Sequence, residues 1–241
     1  MIDALRAALS AADLSLGDEA VAALTRYMEY VLAANEAQNL TALRSPDLFA
    51  REGIVDSIRA FSASGARTGT PLVDVGSGSG LPALVWLCAG FVPHATLIES
   101  ERRKAEFLRA AAAELGLSAS VTWGRAEVLA QGAMRDAAPL VSARALAAAP
   151  LAVEVTGALV RPGGDLLLLK GRRAAEEEEA ARPVAARMGF APAQLRGYEL
   201  PGGVERAVLV YRKRRPTPAG RPASFARLRR EFPPSPTGKE R

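Results

Sequence analysis

Asp74-Val75-Gly76-Ser77-Gly78-Ser79-Gly80-Leu81-Pro82 decides how this chain is read. Apolar runs flank it, Leu72-Val73 before and Ala83-Leu84-Val85-Trp86-Leu87 after, so the segment predicts a strand, a glycine-rich turn and a helix. Glycines at 76, 78 and 80 let the backbone turn sharply and bring N–H groups against a ligand where a Cβ would block the approach. Pro82 suits a first helical turn, where its missing N–H costs nothing. A connecting loop without a ligand is the alternative, but three glycines in five residues are entropically costly unless they are used.

Two phosphate-bearing ligands compete for such a loop. A dinucleotide fold requires G-x-G-x-x-G, whose third glycine lets the helix pack on the strand; here Gly76 and Gly78 comply, but Leu81 takes the third place. A phosphate loop of the form G-x-x-x-x-G-K-[ST] requires a lysine that is missing at that spacing. What remains is G-x-G-x-G preceded by an acid, Asp74. A carboxylate there repels a pyrophosphate and attracts an ammonium group. S-adenosylmethionine carries both an ammonium and a sulfonium, and the segment resembles the first motif of the Rossmann-like methyltransferases.

At 241 residues the chain can bury one good core and a smaller accessory one. Its 49% hydrophobic and 24% charged content is ordinary for a soluble globular protein. No apolar stretch reaches the roughly 18 residues of a membrane span, and Met1-Ile2-Asp3-Ala4-Leu5-Arg6 lacks a signal-peptide core. A cytoplasmic protein with no membrane association is expected. The single cysteine, Cys88, lies in the apolar run after the loop and reads as a buried small hydrophobe. It excludes an intrachain disulfide framework, and with no Cys/His cluster no metal site is expected.

The net charge of +5 is unevenly spread. Residues 211–241 hold ten Lys/Arg and two acids, a net of +8, which leaves −3 for residues 1–210. Such a basic end binds polyanions, mostly through phosphate contacts. A solvated, disordered end is the alternative.

Residues 1–66 read as an N-terminal helical cap. Ile2, Leu5, Ala8 and Leu9 keep helical spacing, as do Val21, Leu24, Met28, Val31 and Leu32; Ser15 or Asp18 could cap this second helix. A third helix is expected over 45–61, capped by Ser45 with Pro46 in its first turn. From residue 71 strands and helices alternate, the mark of a parallel sheet. Strands are expected at 72–75, 95–99, 120–123, 139–143 and 164–170, with helices between them and a charged helix over 174–188. Two last strands, 194–199 and 206–212, are separated by Pro201-Gly202-Gly203, which suits an antiparallel hairpin. The expected architecture is α/β: a Rossmann-like, mostly parallel seven-stranded sheet in residues 67–212, the helical cap, and a basic tail over 213–241 that Pro216, Pro218, Pro222, Pro233, Pro234 and Pro236 make irregular.

Ligands of open parallel sheets sit beyond the carboxyl ends of the strands. Glu99 ends the second strand about 20 residues past the loop, where an acid can accept both ribose hydroxyls. After the third strand, Gly124-Arg125-Ala126-Glu127 could frame an adenine, although Glu127 could equally be a first-turn acid favoured by the helix dipole. Arg144 and Lys170 end the fourth and fifth strands; two cations there suit an anionic substrate, or form satisfied ion pairs. His94, the only histidine, precedes the second strand on the opposite edge and reads as a loop residue. No Asn-Pro-Pro-Tyr or Asp-Pro-Pro-Tyr segment for an exocyclic amine follows the fourth strand, and no cysteine lies near the later strands for attack on a pyrimidine. A guanine N7 needs neither, since it has a lone pair and no proton to lose.

Assembled, these residues make the chain resemble the RsmG (GidB) family, methyltransferases of a guanine N7 in small-subunit ribosomal RNA. The matching segments are Asn39-Leu40-Thr41, Asp56-Ser57, the loop 74–82, Glu99-Ser100, Arg103-Lys104, Phe107-Leu108, Arg125-Ala126-Glu127, Ala143-Arg144-Ala145, Leu169-Lys170-Gly171 and Pro216-Thr217-Pro218. The resemblance implies that Gly76, Leu81, Ala126, Glu127 and Arg144 contact S-adenosylmethionine, beside Asp74, Gly78, Gly80 and Glu99. It places Arg144 and Lys170 near the target base as catalytic candidates. It also implies that Arg103, Lys104, Arg212, Lys213, Arg214 and Arg215 meet RNA, with 16S rRNA or a small-subunit particle as partner of a monomeric enzyme. The chain departs from the family pattern at Gly53, where a histidine is usual, and at Gly220-Arg221-Pro222-Ala223-Ser224 in the tail. A non-catalytic RNA-binding or assembly factor on the same fold, or a methyltransferase for another substrate, is the alternative. On this reading the tail serves RNA alone, so its loss leaves cofactor affinity intact.

Overall fold

The structure, a computed structural model, describes residues 1–232. The tail positions Pro233, Pro234, Pro236, Lys239 and Arg241 lie outside the described residues. The seven strands are β1 (Leu72–Val75), β2 (Ala95–Glu99), β3 (Ala119–Trp123), β4 (Ala138–Arg144), β5 (Val160–Lys170), β6 (Gln194–Leu200) and β7 (Val204–Arg212). They form one sheet in the order β3-β2-β1-β4-β5-β7-β6. Strands β1 to β5 pair in parallel; β7 runs antiparallel to both β5 and β6. The Pro201-Gly202-Gly203 signal is thus the hairpin turn. The strand order reverses between β1 and its neighbours β2 and β4, and the loop after β1 sits at that switch point.

Both faces of the sheet are covered, as the near-continuous apolar strands demand. Successive β5 leucines alternate: Leu167 and Leu169 join the cluster on one face, Leu166 and Leu168 the other. The first face carries α5 (Ala83–Cys88), α6 (Arg102–Glu114) and the cap helices α1 (Ile2–Ala11), α2 (Asp18–Gln38) and α4 (Asp56–Ser64); the second carries α7 (Ala126–Leu129), α8 (Ala149–Gly157) and α9 (Ala174–Arg187). The cap has no core of its own. Leu5, Leu24, Phe49 and Phe61 lie in one apolar cluster with Trp86 and Leu97, and the Trp86 indole N–H donates to the Ser57 carbonyl at 2.7 Å.

Two expectations about the cap change. Gly17, in extended conformation and with no side chain to bond, precedes α2, so neither Ser15 nor Asp18 is its cap. Ser45 does cap the third helix: its Oγ accepts from Leu48 N at 3.3 Å, with Pro46 at the first helical position. That helix is not uniform, however. This helix, α3 (Pro46–Phe49), passes through a π-helical turn, Ala50–Val55, before α4 begins. Gly53 lies inside this turn, where an added Cβ would already touch Phe49, Leu43 and Leu81 at 3.4–3.5 Å. A larger side chain must displace that packing.

Candidate active site

The loop after β1 is shaped by its glycines and closed by a carboxylate. Gly76, Gly78 and Gly80 have φ of +74°, +54° and +101°, values that L side chains avoid. At Gly80 a Cβ would also strike Leu84 Cδ1 at 2.5 Å and approach the Tyr27 hydroxyl at 3.2 Å. At Gly78 the nearest heavy atom to such a Cβ is the Gly76 carbonyl oxygen, at 3.8 Å, so the protein leaves space above this peptide. Its N–H donates to Glu99 Oε2 at 3.0 Å, and Glu99 Oε1 accepts from Glu101 N at 2.8 Å. Glu99 therefore ties the loop to the end of β2. The cap reaches the loop as well: the buried Tyr27 hydroxyl donates to the Ser79 carbonyl at 3.0 Å.

Asp74, in β1 two residues before Gly76, is 1% exposed. One carboxylate oxygen accepts from the Ser142 hydroxyl, while Oδ2 is buried without a hydrogen-bond partner among the described residues. Burial pushes its pKa up to about 7, with Glu99 adding to the rise and the hydrogen bond from Ser142, with Arg144, opposing it. A buried acid whose ionised form is disfavoured by burial is poised to gain from a nearby positive charge.

A cleft opens beside the loop. Gly76, Ala126 and Glu127 line it together with Ser100 and with Leu151 and Val155 of α8. Three residues assigned from the resemblance thus converge. Glu127 is 2% exposed and paired with Arg125, so it combines a first-turn position in α7 with a place in the wall. Leu81 is not in that wall; it is buried among the cap contacts.

Arg144 and Lys170 also lie outside the cleft lining, each held by a carboxylate. Arg144 donates to the Glu52 carbonyl at 2.6 Å and lies 3.3 Å from Asp56 Oδ2. Asp56 also accepts from the Tyr198 hydroxyl at 2.7 Å, and Arg206 pairs with Glu52 at 3.4 Å. The π-helical turn thus delivers Glu52 to the end of β4, with Asp56 following at once, a network that residue-type reasoning missed. The only trace was Asp56-Ser57 among the family segments. Lys170 donates to Glu177 Oε2 at 2.6 Å and to the Ala147 carbonyl at 2.7 Å. The ion-pair alternative describes both cations in this structure.

The RNA-facing set divides. Arg103 is exposed and Lys104 half-buried, near the start of α6 on the same sheet edge as the loop; Lys104 pairs with Glu101 at 2.8 Å. Arg212 sits elsewhere. It pairs with Asp165 at 2.8 Å, whereas Lys170 opposes Ala207 at the other end of the β5–β7 ladder, roughly 17 Å away at the rise of a strand. Arg214 and Arg215 are exposed near that far end. Lys213 must be corrected outright. It is fully buried, donating to the Gly157 carbonyl at 2.7 Å and to Thr217 Oγ1 at 2.8 Å, with its ammonium 4.6 Å from the Phe190 ring centre and 3.6 Å from Asp136. No phosphate can reach it. Nor is 213–232 an appended tail: it packs on the domain and ends in a helix, α10 (Phe225–Glu231), whose Leu228 is 2% exposed.

His94 is half-buried and bonded to Ser118 Oγ at 3.1 Å on the opposite edge, as a loop residue. Cys88 is buried, with its thiol pushed up to about 12 by that burial.

Comparison with known proteins supplies the remaining finding. A family model described as rRNA small subunit methyltransferase G matches residues 20–200. A protein of that name from Symbiobacterium thermophilum is 34% identical over 86% of this chain and 89% of its own length. One from Xanthomonas axonopodis pv. citri is 38% identical over 83% and 90%. Among solved structures, a branched-chain polyamine synthase from Thermus thermophilus, in complex with N4-aminopropylspermidine and 5'-methylthioadenosine, aligns over 79% of this chain and 64% of its own with a TM-score of 0.57 at 15% identity. A ribosomal protein L11 methylase from Lactobacillus delbrueckii aligns over 66% and 77% with a TM-score of 0.50, also at 15% identity. The structural likenesses carry the fold alone; with a family model spanning most of the chain, and relatives matched nearly end to end, the chain belongs to the rRNA small subunit methyltransferase G family.

Proposed function

We propose that this protein is an S-adenosylmethionine-dependent methyltransferase acting on a guanine N7 of 16S rRNA, free or in a small-subunit particle, in the cytoplasm. The observations that carry the reading are an open peptide face at Gly78, in the loop after β1, and a buried carboxylate with an unsatisfied oxygen, Asp74, within that strand. That is a site for a ligand with a positive charge, and it does not suit a pyrophosphate. When bound, S-adenosylmethionine supplies an electrophilic methyl on a sulfonium. The loop peptides, Asp74 and Glu99 would hold its amino-acid and ribose portions, and Ala126 and Glu127 the purine.

A guanine N7 loses no proton on methylation, so no general base is required, and the rate rests on alignment of nucleophile and methyl. The ring gains positive charge as it reacts. A bare cation beside it would oppose the reaction. Here Arg144 and Lys170 are each matched by a carboxylate, Asp56 and Glu177, so the strand ends can hold a phosphate or O6 without a field that raises the barrier. Exposed Arg103, Arg214 and Arg215, together with Lys104, are the proposed phosphate contacts.

Incubation with labelled S-adenosylmethionine and small-subunit rRNA or particles lacking the modification tests this, with transfer RNA and ribosomal protein as parallel acceptors. Label in the small-subunit rRNA alone is expected. Label in another acceptor, or none in the presence of measured cofactor binding, would replace the proposal with the other-substrate or assembly-factor reading.

A further inference from the structure

The described C-terminal segment is built into the cleft. Leu228 of α10 and Phe232 just after it line the same cavity as Gly76, Ala126 and Glu127, adjoining the wall made by Leu151 and Val155. The segment is fixed there by charged contacts spanning long stretches of sequence. Asp136 accepts from Thr217 N at 3.1 Å and Thr217 Oγ1 at 2.7 Å. Arg135 donates to the carbonyls of Thr217, Pro218 and Arg221 at 2.5–2.9 Å. Glu154 of α8, fully buried, accepts from Arg221 at 2.8 Å and from Ala223 N at 3.0 Å. Glu231, at the end of α10, pairs with Arg187 at 2.8 Å and Arg221 at 3.4 Å.

A fully buried carboxylate is tolerated only when paired and hydrogen-bonded, so Glu154 dictates where Arg221 and the entry to α10 lie. Leu228 and Phe232 follow from that placement. Both are apolar, and they share the cleft lining with Ala126 and Glu127, whereas Asp74 and Glu99 are not part of it. Apolar walls of this kind suit the flat face of a purine.

We propose that α10 is a wall of the methyl-donor pocket: Leu228 and Phe232 contact the adenine half of S-adenosylmethionine, and the Glu154–Arg221 pair positions them. The proposal rests on the placing of that ligand in this cleft. It reverses the expectation that the C-terminal end serves RNA alone.

The test is calorimetric titration of S-adenosylmethionine and S-adenosylhomocysteine into the full chain, the Leu228→Ser variant, a chain ending at residue 224, and the Arg214→Ala/Arg215→Ala double variant. Losing a leucine from a ligand contact should raise Kd about tenfold or more in the first two variants. The double arginine variant should stay within about twofold of the unaltered protein, since it removes only exposed charge. A second readout guards against a truncation that does not fold: S-adenosylhomocysteine should slow tryptic cleavage after Arg227 and Arg230 several-fold in the unaltered chain. An unchanged Kd for Leu228→Ser, or equal cleavage with and without the ligand, overturns the proposal. Gly78→Val separates the causes. If it raises Kd while Leu228→Ser does not, α10 alone is excluded; if neither does, the ligand is not in this cleft and both readings fall.

Discussion

Among single residues, Asp74 and Gly78 are the two on which the proposed methyl-donor binding depends. The Asp74 carboxyl is pushed up to about 7 chiefly by burial, and a bound ammonium favours its ionised form. Protonation below that pH removes the attraction, so affinity for S-adenosylmethionine should fall as the pH drops through about 7, by at most about tenfold per unit. In Asp74→Asn the affinity should be lower and the dependence flat. Titrations at several pH values check this, and an Asp74→Asn profile with the same slope would assign the effect elsewhere. Gly78→Val fills the open peptide face and forces a β-branched residue to φ +54°; cofactor binding should become undetectable while the far-ultraviolet circular dichroism stays unchanged. The glycines and Asp74 were legible because spacing alone reveals a loop needing positive φ and an acid before it. Lys213 was not. A lysine in an Arg-rich run reads as exposed, and only the tertiary partners Asp136, Thr217 and Phe190 make its burial tolerable.

At the scale of elements, the hairpin and the five parallel strands followed from alternation and turn residues, whereas two helical features did not. The π-helical turn Ala50–Val55 interrupts a helix whose apolar pattern looked continuous, and it supplies Glu52 to Arg144 and Arg206. A local pattern cannot announce a bond partner 92 residues away. The same limit hid α10 and its approach, whose anchors Arg135, Asp136 and Glu154 lie 67–86 residues earlier in the chain. Prolines and arginines there suggest solvation until those partners are known. The packing yields a prediction. Lys213→Met leaves Asp136 with fewer partners and the Gly157 carbonyl without its donor, so unfolding in urea should show a loss of about 3 kcal/mol. RNA affinity of the folded variant should fall no further than in Arg214→Ala. Unaltered stability with weakened RNA binding would return Lys213 to the RNA-contact set.

At the scale of the whole molecule, charge and chemistry are arranged on the sheet's two edges. The glycine loop, Glu99, Arg144 and Lys170 share the carboxyl edge of the parallel strands, with Arg103 beside them, while Arg212, Arg214 and Arg215 gather at the opposite end of β7. An RNA touching both must span the domain, which favours a large folded acceptor over a short oligonucleotide. Neutralising Arg214 and Arg215 together should then lower affinity for small-subunit rRNA and reduce the slope of log K against log salt by about 1.4–1.8, the loss of two phosphate contacts. An identical slope would remove that edge from the RNA surface. Guanine N7 is the proposed reacting atom. Nucleoside analysis by mass spectrometry of unmodified small-subunit rRNA, after reaction with the protein and methyl-labelled S-adenosylmethionine, reads it directly. A single labelled nucleoside, 7-methylguanosine, is expected; label carried by any other methylated nucleoside would overturn the proposal.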